Sequence, residues 1–111
     1  MSLYAKMTTA CANRDGQAYL DFHHEDVQMT WHSTGRVSKK GDTSAKQMSA
    51  IMGLSTIRKR RCIFESDDII VQHMFADYEN GTKDVTSHVT LKKDGLLWRT
   101  ETGVTAVKTQ A

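Results

Sequence analysis

The stretch Ile69-Ile70-Val71-Gln72-His73-Met74-Phe75-Ala76-Asp77-Tyr78, then Glu79-Asn80-Gly81-Thr82, then Lys83-Asp84-Val85-Thr86-Ser87-His88-Val89-Thr90-Leu91, decides the fold. Both long segments are rich in β-branched and aromatic residues, which suit a half-buried strand. Asn-Gly between such runs is a strong hairpin signal, because a type I′ turn needs positive φ at both central positions and these residues tolerate it. With Asn80-Gly81 as a two-residue loop, Glu79 faces Thr82. Ile70 then faces Leu91, Gln72 faces Val89, Met74 faces Ser87 and Ala76 faces Val85, a mostly apolar face. The opposite face pairs Val71 with Thr90, His73 with His88, Phe75 with Thr86 and Asp77 with Asp84.

Outward from the hairpin, Asp67-Asp68 and Asp94-Gly95 mark further turns, so four strands run from Thr56 to Lys108. A two-residue Asp67-Asp68 loop sets Arg58 opposite Asp77, Arg60 opposite Phe75 and Arg61 opposite Met74. The first 54 residues have a different period. Leu3, Met7, Ala10 and Cys11 recur at helical spacing, and Asp15 caps a second helix with Ala18, Tyr19 and Phe22 on its apolar stripe. His23-His24-Glu25-Asp26 leads out of that helix to a strand in which Val27, Met29 and Trp31 alternate with polar residues. A loop from Gly35 to Gly41 follows. Asp42 or Thr43 then caps a third helix carrying Ala45, Met48, Ile51 and Met52, which ends near Gly53. Helices segregated to one side of an antiparallel sheet predict one α+β domain over residues 1–111.

Composition narrows the function classes. Fifteen Lys and Arg against 13 Asp and Glu leave a net charge of +2, too mild to call for nucleic acid or an anionic membrane. Arg58-Lys59-Arg60-Arg61, the one dense basic run, lies in a predicted strand and splits over two faces. Cys11 and Cys62 read as reduced thiols, and neither a signal peptide nor a membrane span is visible, so a cytoplasmic protein is expected. Proline is absent, where about five or six are usual for this length.

Three helices, a strand after the second and then a long antiparallel sheet resemble the nuclear transport factor two-like, cone-shaped fold, in its SnoaL-like and ketosteroid-isomerase-like branch. The segments that carry the likeness are Arg14-Asp15-Gly16-Gln17-Ala18-Tyr19-Leu20-Asp21-Phe22, Glu25-Asp26-Val27-Gln28-Met29-Thr30-Trp31-His32 and Leu91-Lys92-Lys93-Asp94-Gly95-Leu96-Leu97. The resemblance implies a curved sheet under three helices, a pocket in the cone and a homodimer through the outer sheet face. The fold hosts isomerases, dehydratases, cyclases and non-catalytic modules, so function must come from the site.

Carried over residue by residue, the isomerase base falls at Trp31, the first-helix Tyr at Met7 and the oxyanion donor at Ser87. Trp and Met take no proton at neutral pH, and a slip of two positions reaches only Ser33, so ketosteroid isomerisation is not expected. The turn that carries Asp-Pro in such folds reads His32-Ser33-Thr34-Gly35 here. The expected function is therefore binding of a small apolar or weakly acidic molecule, with no cofactor and no metal. The expected pocket residues are Met7, Tyr19, Trp31, Ser33, Arg61, Met74, Ser87, Val89 and Trp98. Arg61, directed at the apolar face by the register above, is the candidate partner for a ligand carboxylate, with an internal Glu65 or Asp as the alternative partner. The competing reading is a His-dependent isomerase, cyclase or dehydratase using His73, His88 or His32. His73 and His88 serve equally as a solvated or dimer-face pair.

Overall fold

A computed structural model describes residues 2–107. Helix α1, Leu3–Ala12, begins where the Ser2 hydroxyl accepts from the Ala5 amide at 3.1 Å, and it buries Leu3, Met7 and Ala10 along one stripe. Asp15 caps the short α2, Gly16–Asp21. Strand β1, His23–Trp31, follows at once, so the polar His23-His24-Glu25-Asp26 segment opens the strand instead of leading up to it. The stretch expected as a Gly35–Gly41 loop holds a short strand β2, Arg36–Lys39, antiparallel to β1. After a 3-10 turn at Lys40–Asp42 comes α3, Ala45–Met52, capped by Ser44 and Gln47 in a reciprocal box rather than by Asp42 or Thr43. Strands β3, Ser55–Glu65, β4, Ile69–Tyr78, β5, Lys83–Lys93, and β6, Leu96–Ala106, complete the chain.

The six strands form one sheet in the order β2-β1-β6-β5-β4-β3, antiparallel throughout except for β1 beside β6. The helices lie on one face of it, as the resemblance implies for an α+β cone. Leu3, Met7, Ile70 and Leu97 join the first helix to the inner sheet face, with Tyr4, Tyr19, Phe22 and Cys62 packed against them. Burying such a side chain contributes about 1.5–3 kcal/mol. The helix is also held by charge: Glu65, at the end of β3, accepts from the Leu3 and Tyr4 amides at 3.1 and 3.4 Å and from Lys92 Nζ at 2.8 Å. Burial alone would raise the Glu65 carboxyl, but Lys92 and the two amides hold it below its ordinary value.

The hairpin register differs by one residue from the sequence expectation. Tyr78 donates to the Thr82 carbonyl at 3.0 Å and Gly81 to that of Tyr78 at 3.0 Å, with Gly81 at φ +86. The loop is therefore Glu79-Asn80-Gly81, a turn followed by a left-handed residue. Ile70 pairs with Thr90, Gln72 with His88, Met74 with Thr86 and Asp77 with Lys83. Because side chains alternate, this single step turns all of β5 over. His88 goes to the inner face; Ser87, Val89 and Leu91 go to the outer one.

Strand β3 departs in a different way. Glu65 faces Ile70 and Phe64 faces Val71, as a short Asp67-Asp68 turn requires, but irregularities at Ile63 and at Lys59-Arg60 then shift the pairing. After the Ile63 irregularity Arg61 stands opposite His73 instead of Met74, and beyond Lys59, which takes a positive φ of 52°, Arg58 stands opposite Phe75. Arg61 thus joins the outer face and Arg60 enters the inner one, reversing the expectation. Arg58 still reaches Asp77, with Nη2 2.9 Å from Oδ1, and Arg58 and Lys59 lie over the Phe75 ring.

Candidate functional site

Four neighbouring strands place Trp31 of β1, Thr102 of β6, His88 of β5 and Gln72 of β4 in one row across the inner face. Trp31 and His88 meet edge to face, with ring centroids 6.3 Å apart. Arg60 extends over the other end of the row. Its Nε and Nη2 donate to Gln72 Oε1 at 3.3 and 2.9 Å, its Nη1 donates to Cys11 Sγ at 3.3 Å, and its guanidinium carbon lies 5.8 Å from the Tyr4 ring centroid. None of the ion pairs among the described residues involves Arg60.

Threonine forms the rest of this surface. Thr86, Thr90, Thr100 and Thr102 are buried, as is Gln72. The hydroxyls of Thr90 and Thr100 bond each other at 2.8 Å, and Thr102 donates to the Thr30 carbonyl at 3.1 Å. Burial, followed by the charge of Arg60, pushes the His88 imidazole down to about 4, so at neutral pH it is uncharged. Burial pushes the Tyr19 phenol up, with the nearby Cys11 adding to the shift and Arg60 opposing it. The charge of Arg60 thus acts on both the Tyr19 phenol and His88, while its guanidinium touches Cys11. His23 is lowered by burial, against its bond to the Tyr19 carbonyl at 2.8 Å, and Lys40 adds to the effect.

The sequence-predicted residues divide between the faces. Met7 and Met74 are buried on the inner side, Tyr19 packs there, and Trp31 ends the row. Ser33 is exposed in the turn after β1. Arg61, Ser87 and Val89 lie on the outer face, so the oxyanion position at Ser87 points away from the positions at Met7 and Trp31. Trp98 occupies the irregularity of β6, 4.3 Å from the Arg99 guanidinium and 5.3 Å from Lys93 Nζ, and borders a surface groove of about 340 Å³. His73 is on the outer face against Phe75, centroids 5.5 Å apart, while His32 is exposed and bonds Glu101 at 3.0 Å. His73 and His88 are therefore on opposite faces. Among the described residues no group of three or more His, Cys, Asp or Glu side chains could hold a metal ion.

Sequence reasoning missed Arg60, Gln72 and Cys11 as neighbours. A usable signal was the alternation Thr86-x-His88-x-Thr90 and Thr100-x-Thr102, which places one polar set on one face of two adjacent strands.

The sequence matches no protein-family model and no curated protein. Solved structures do match. An NTF2-like protein of unknown function from Burkholderia xenovorans superposes with a TM-score of 0.72 at 14% identity, over 97% of this chain and 84% of that one. A protein with a cystatin-like fold from Silicibacter pomeroyi gives 0.73 at 16% identity, over 92% and 72%. The chain has the NTF2-like fold. A protein with a ketosteroid isomerase-like fold from Catenulispora acidiphila, solved in complex with trimethylamine, gives 0.59 at 8% identity, over 93% and 86%. At these identities the NTF2-like likeness concerns the backbone, and the chemistry rests on this chain's own side chains.

Proposed function

We propose that this SnoaL-like protein binds a small molecule bearing an acidic group on its inner sheet face, with Arg60 as the anion's partner. The observation that carries this reading is the environment of that guanidinium. It sits among Gln72, Cys11 and Tyr4, with neutral hydrogen-bond acceptors in place of a carboxylate. A guanidinium away from bulk water gains most from a bidentate carboxylate. Arg60 thus takes the role that the sequence suggested for Arg61. Ketosteroid isomerisation is not part of the reading, since Met7 and Trp31 supply no base.

Calorimetric titration tests the reading with phenylacetate against its neutral isostere phenylacetamide. Wild type is expected to bind the acid at least tenfold more tightly, and Arg60→Gln to abolish the difference. Equal affinities for acid and amide in the wild type would overturn it.

The inward position of His88 favours a second reading, proton transfer in an isomerase, cyclase or dehydratase reaction. With its conjugate acid near 4, the imidazole is a free base at pH 7 and about as weak a base as a carboxylate. Turnover lost in His88→Gln while ligand affinity persists is the expected sign of it. The outer face, with Phe64, Val89 and Leu91 exposed beside Phe75 and His73, supports a homodimer through that surface. The cytoplasm suits the two free thiols, Cys11 and Cys62. No helix among the described residues is long and apolar enough to cross a membrane.

A further inference from the structure

The groove of about 340 Å³ beside Trp98 brings together charges of both signs that do not pair with one another. It opens on the outer face, where β1 is irregular between His23 and Gln28 and the sheet passes from β2 through β1 to β6. Gln28 stands opposite Lys39 on one side and Arg99 on the other, so the register sets a cation on each flank of one amide side chain. Arg99 is held in place. Its Nη1 donates to the Asp26 carbonyl and, at 3.1 Å, to that of Trp98, while the guanidinium lies 4.3 Å from the Trp98 ring. Those bonds use one nitrogen and leave Nε and Nη2 without an acceptor among the described residues. Lys93 adds a third cation, its Nζ 5.3 Å from the same ring. The irregular start of β1 supplies two carboxylates to the groove, the exposed Glu25 and Asp26. None of the ion pairs among the described residues includes any of these five charges.

Three cations against two carboxylates leave this groove at +1. A simple anion would meet Glu25 and Asp26 as well as the cations, and a simple ammonium would meet the reverse. One ammonium and two carboxylates on a single small molecule answer both sets and the surplus. We propose that the groove binds an α-amino acid with an acidic side chain, one carboxylate between Arg99 and Lys39, the other toward Lys93, and the ammonium on Glu25 and Asp26. A guanidinium with two unspent nitrogens suits a carboxylate in particular. The site shares no residue with the inner row and does not depend on the acid-binding reading above. Its charges stand in water, so binding is expected to be weak and to strengthen at low ionic strength.

The test titrates L-glutamate, glutarate and L-glutamine into the isotope-labelled wild-type protein at low salt and follows the amides of Gln28 and Arg99 and the Trp98 indole N–H by NMR. That N–H is buried with no acceptor among the described residues, so its shift reports disturbance of the Arg99 stack. L-Glutamate is expected to bind about fivefold more tightly than glutarate, which lacks the ammonium, and than L-glutamine, which lacks the second carboxylate; such a factor is the upper range for one exposed ion pair. Glu25→Gln with Asp26→Asn, both at exposed positions, should remove the preference over glutarate, and Lys93→Gln the preference over L-glutamine. Arg60→Gln, on the other face, should leave both preferences in place. Glutarate binding as tightly as L-glutamate would make the groove a plain anion site and overturn the proposal. So would L-glutamate that leaves the Gln28, Arg99 and Trp98 signals unmoved. The wild-type comparison of the three ligands decides even if a variant fails to fold.

Discussion

Acid should weaken this fold through His88 before it protonates the carboxylates. An imidazole has an ordinary value of 6.5, and in the folded chain burial and then Arg60 lower that of His88 to about 4. The unfolded chain thus binds a proton that the folded chain refuses wherever the pH lies between those two values. Stability is fully present above about 6.5 and declines as pH falls toward 4. Each pH unit of difference corresponds to about 1.4 kcal/mol, so this one residue accounts for a loss on the order of 3 kcal/mol across the window. In a chain this size that is roughly 10–20 °C in Tm. Urea unfolding by far-UV circular dichroism at half-unit steps from pH 7.5 to 4.5 measures the slope, and NMR of the imidazole carbons measures the midpoint. His88→Gln is expected to remove most of the slope. The buried His23, lowered for the same first reason, leaves a residue of the same sign. Glu65 and Asp77, both held below their ordinary values, act at more acid pH, where their carboxylates protonate. A His88 midpoint near 6.5, or an unchanged slope in His88→Gln, would refute the placement of this ring on the inner face beside Arg60.

Glu65→Ala should cost about 2 kcal/mol or more in urea unfolding, because it frees two α1 amides and leaves Lys92 without its carboxylate; Glu65→Gln should recover part of the loss by still accepting a bond. Full stability in Glu65→Ala would show that α1 is anchored by its apolar stripe alone. Gly16→Ala should cost about 3 kcal/mol or prevent folding, since an added Cβ would lie 2.2 Å from the Ala45 carbonyl oxygen and 2.7 Å from the Ser49 amide nitrogen. A purified Gly16→Ala protein melting within a few degrees of wild type would exclude the close approach of α2 to α3.

What could be read from the sequence was whatever is decided locally. Leu3, Met7 and Ala10 carry the helical period, and Asp94-Gly95, with φ of 55° and 75°, forms the two-residue turn its residues suggest, setting Lys93 opposite Leu96. Asn80-Gly81 marks a turn just as clearly, yet only Gly81 takes a positive φ and Glu79 joins the loop. Composition does not distinguish the two-residue from the three-residue form, and that difference decides whether His88 or Val89 faces the helices. The basic run was harder still. Whether Arg60 or Arg61 turns inward depends on the extra residue at Ile63, which shifts Arg61 from Met74 to His73 and which nothing in the neighbouring residues announces. The short β2 went unread because four residues paired on one side give too little pattern. The site therefore eluded the sequence where the fold did not, since each inward side chain depends on register as well as on residue type.

The irregularities in β3 have a consequence beyond aiming Arg60. This strand of 11 residues is one rim of the sheet, the other being β2 with only four. A long straight rim rich in Ile57, Ile63 and Phe64 would offer its free amides and carbonyls to the next molecule and invite fibrous growth. Two interruptions, with Arg58, Lys59 and Arg61 grouped at one of them, break that template into short pieces that cannot be extended in register. Copies of the chain are thereby discouraged from adding strand to strand without limit.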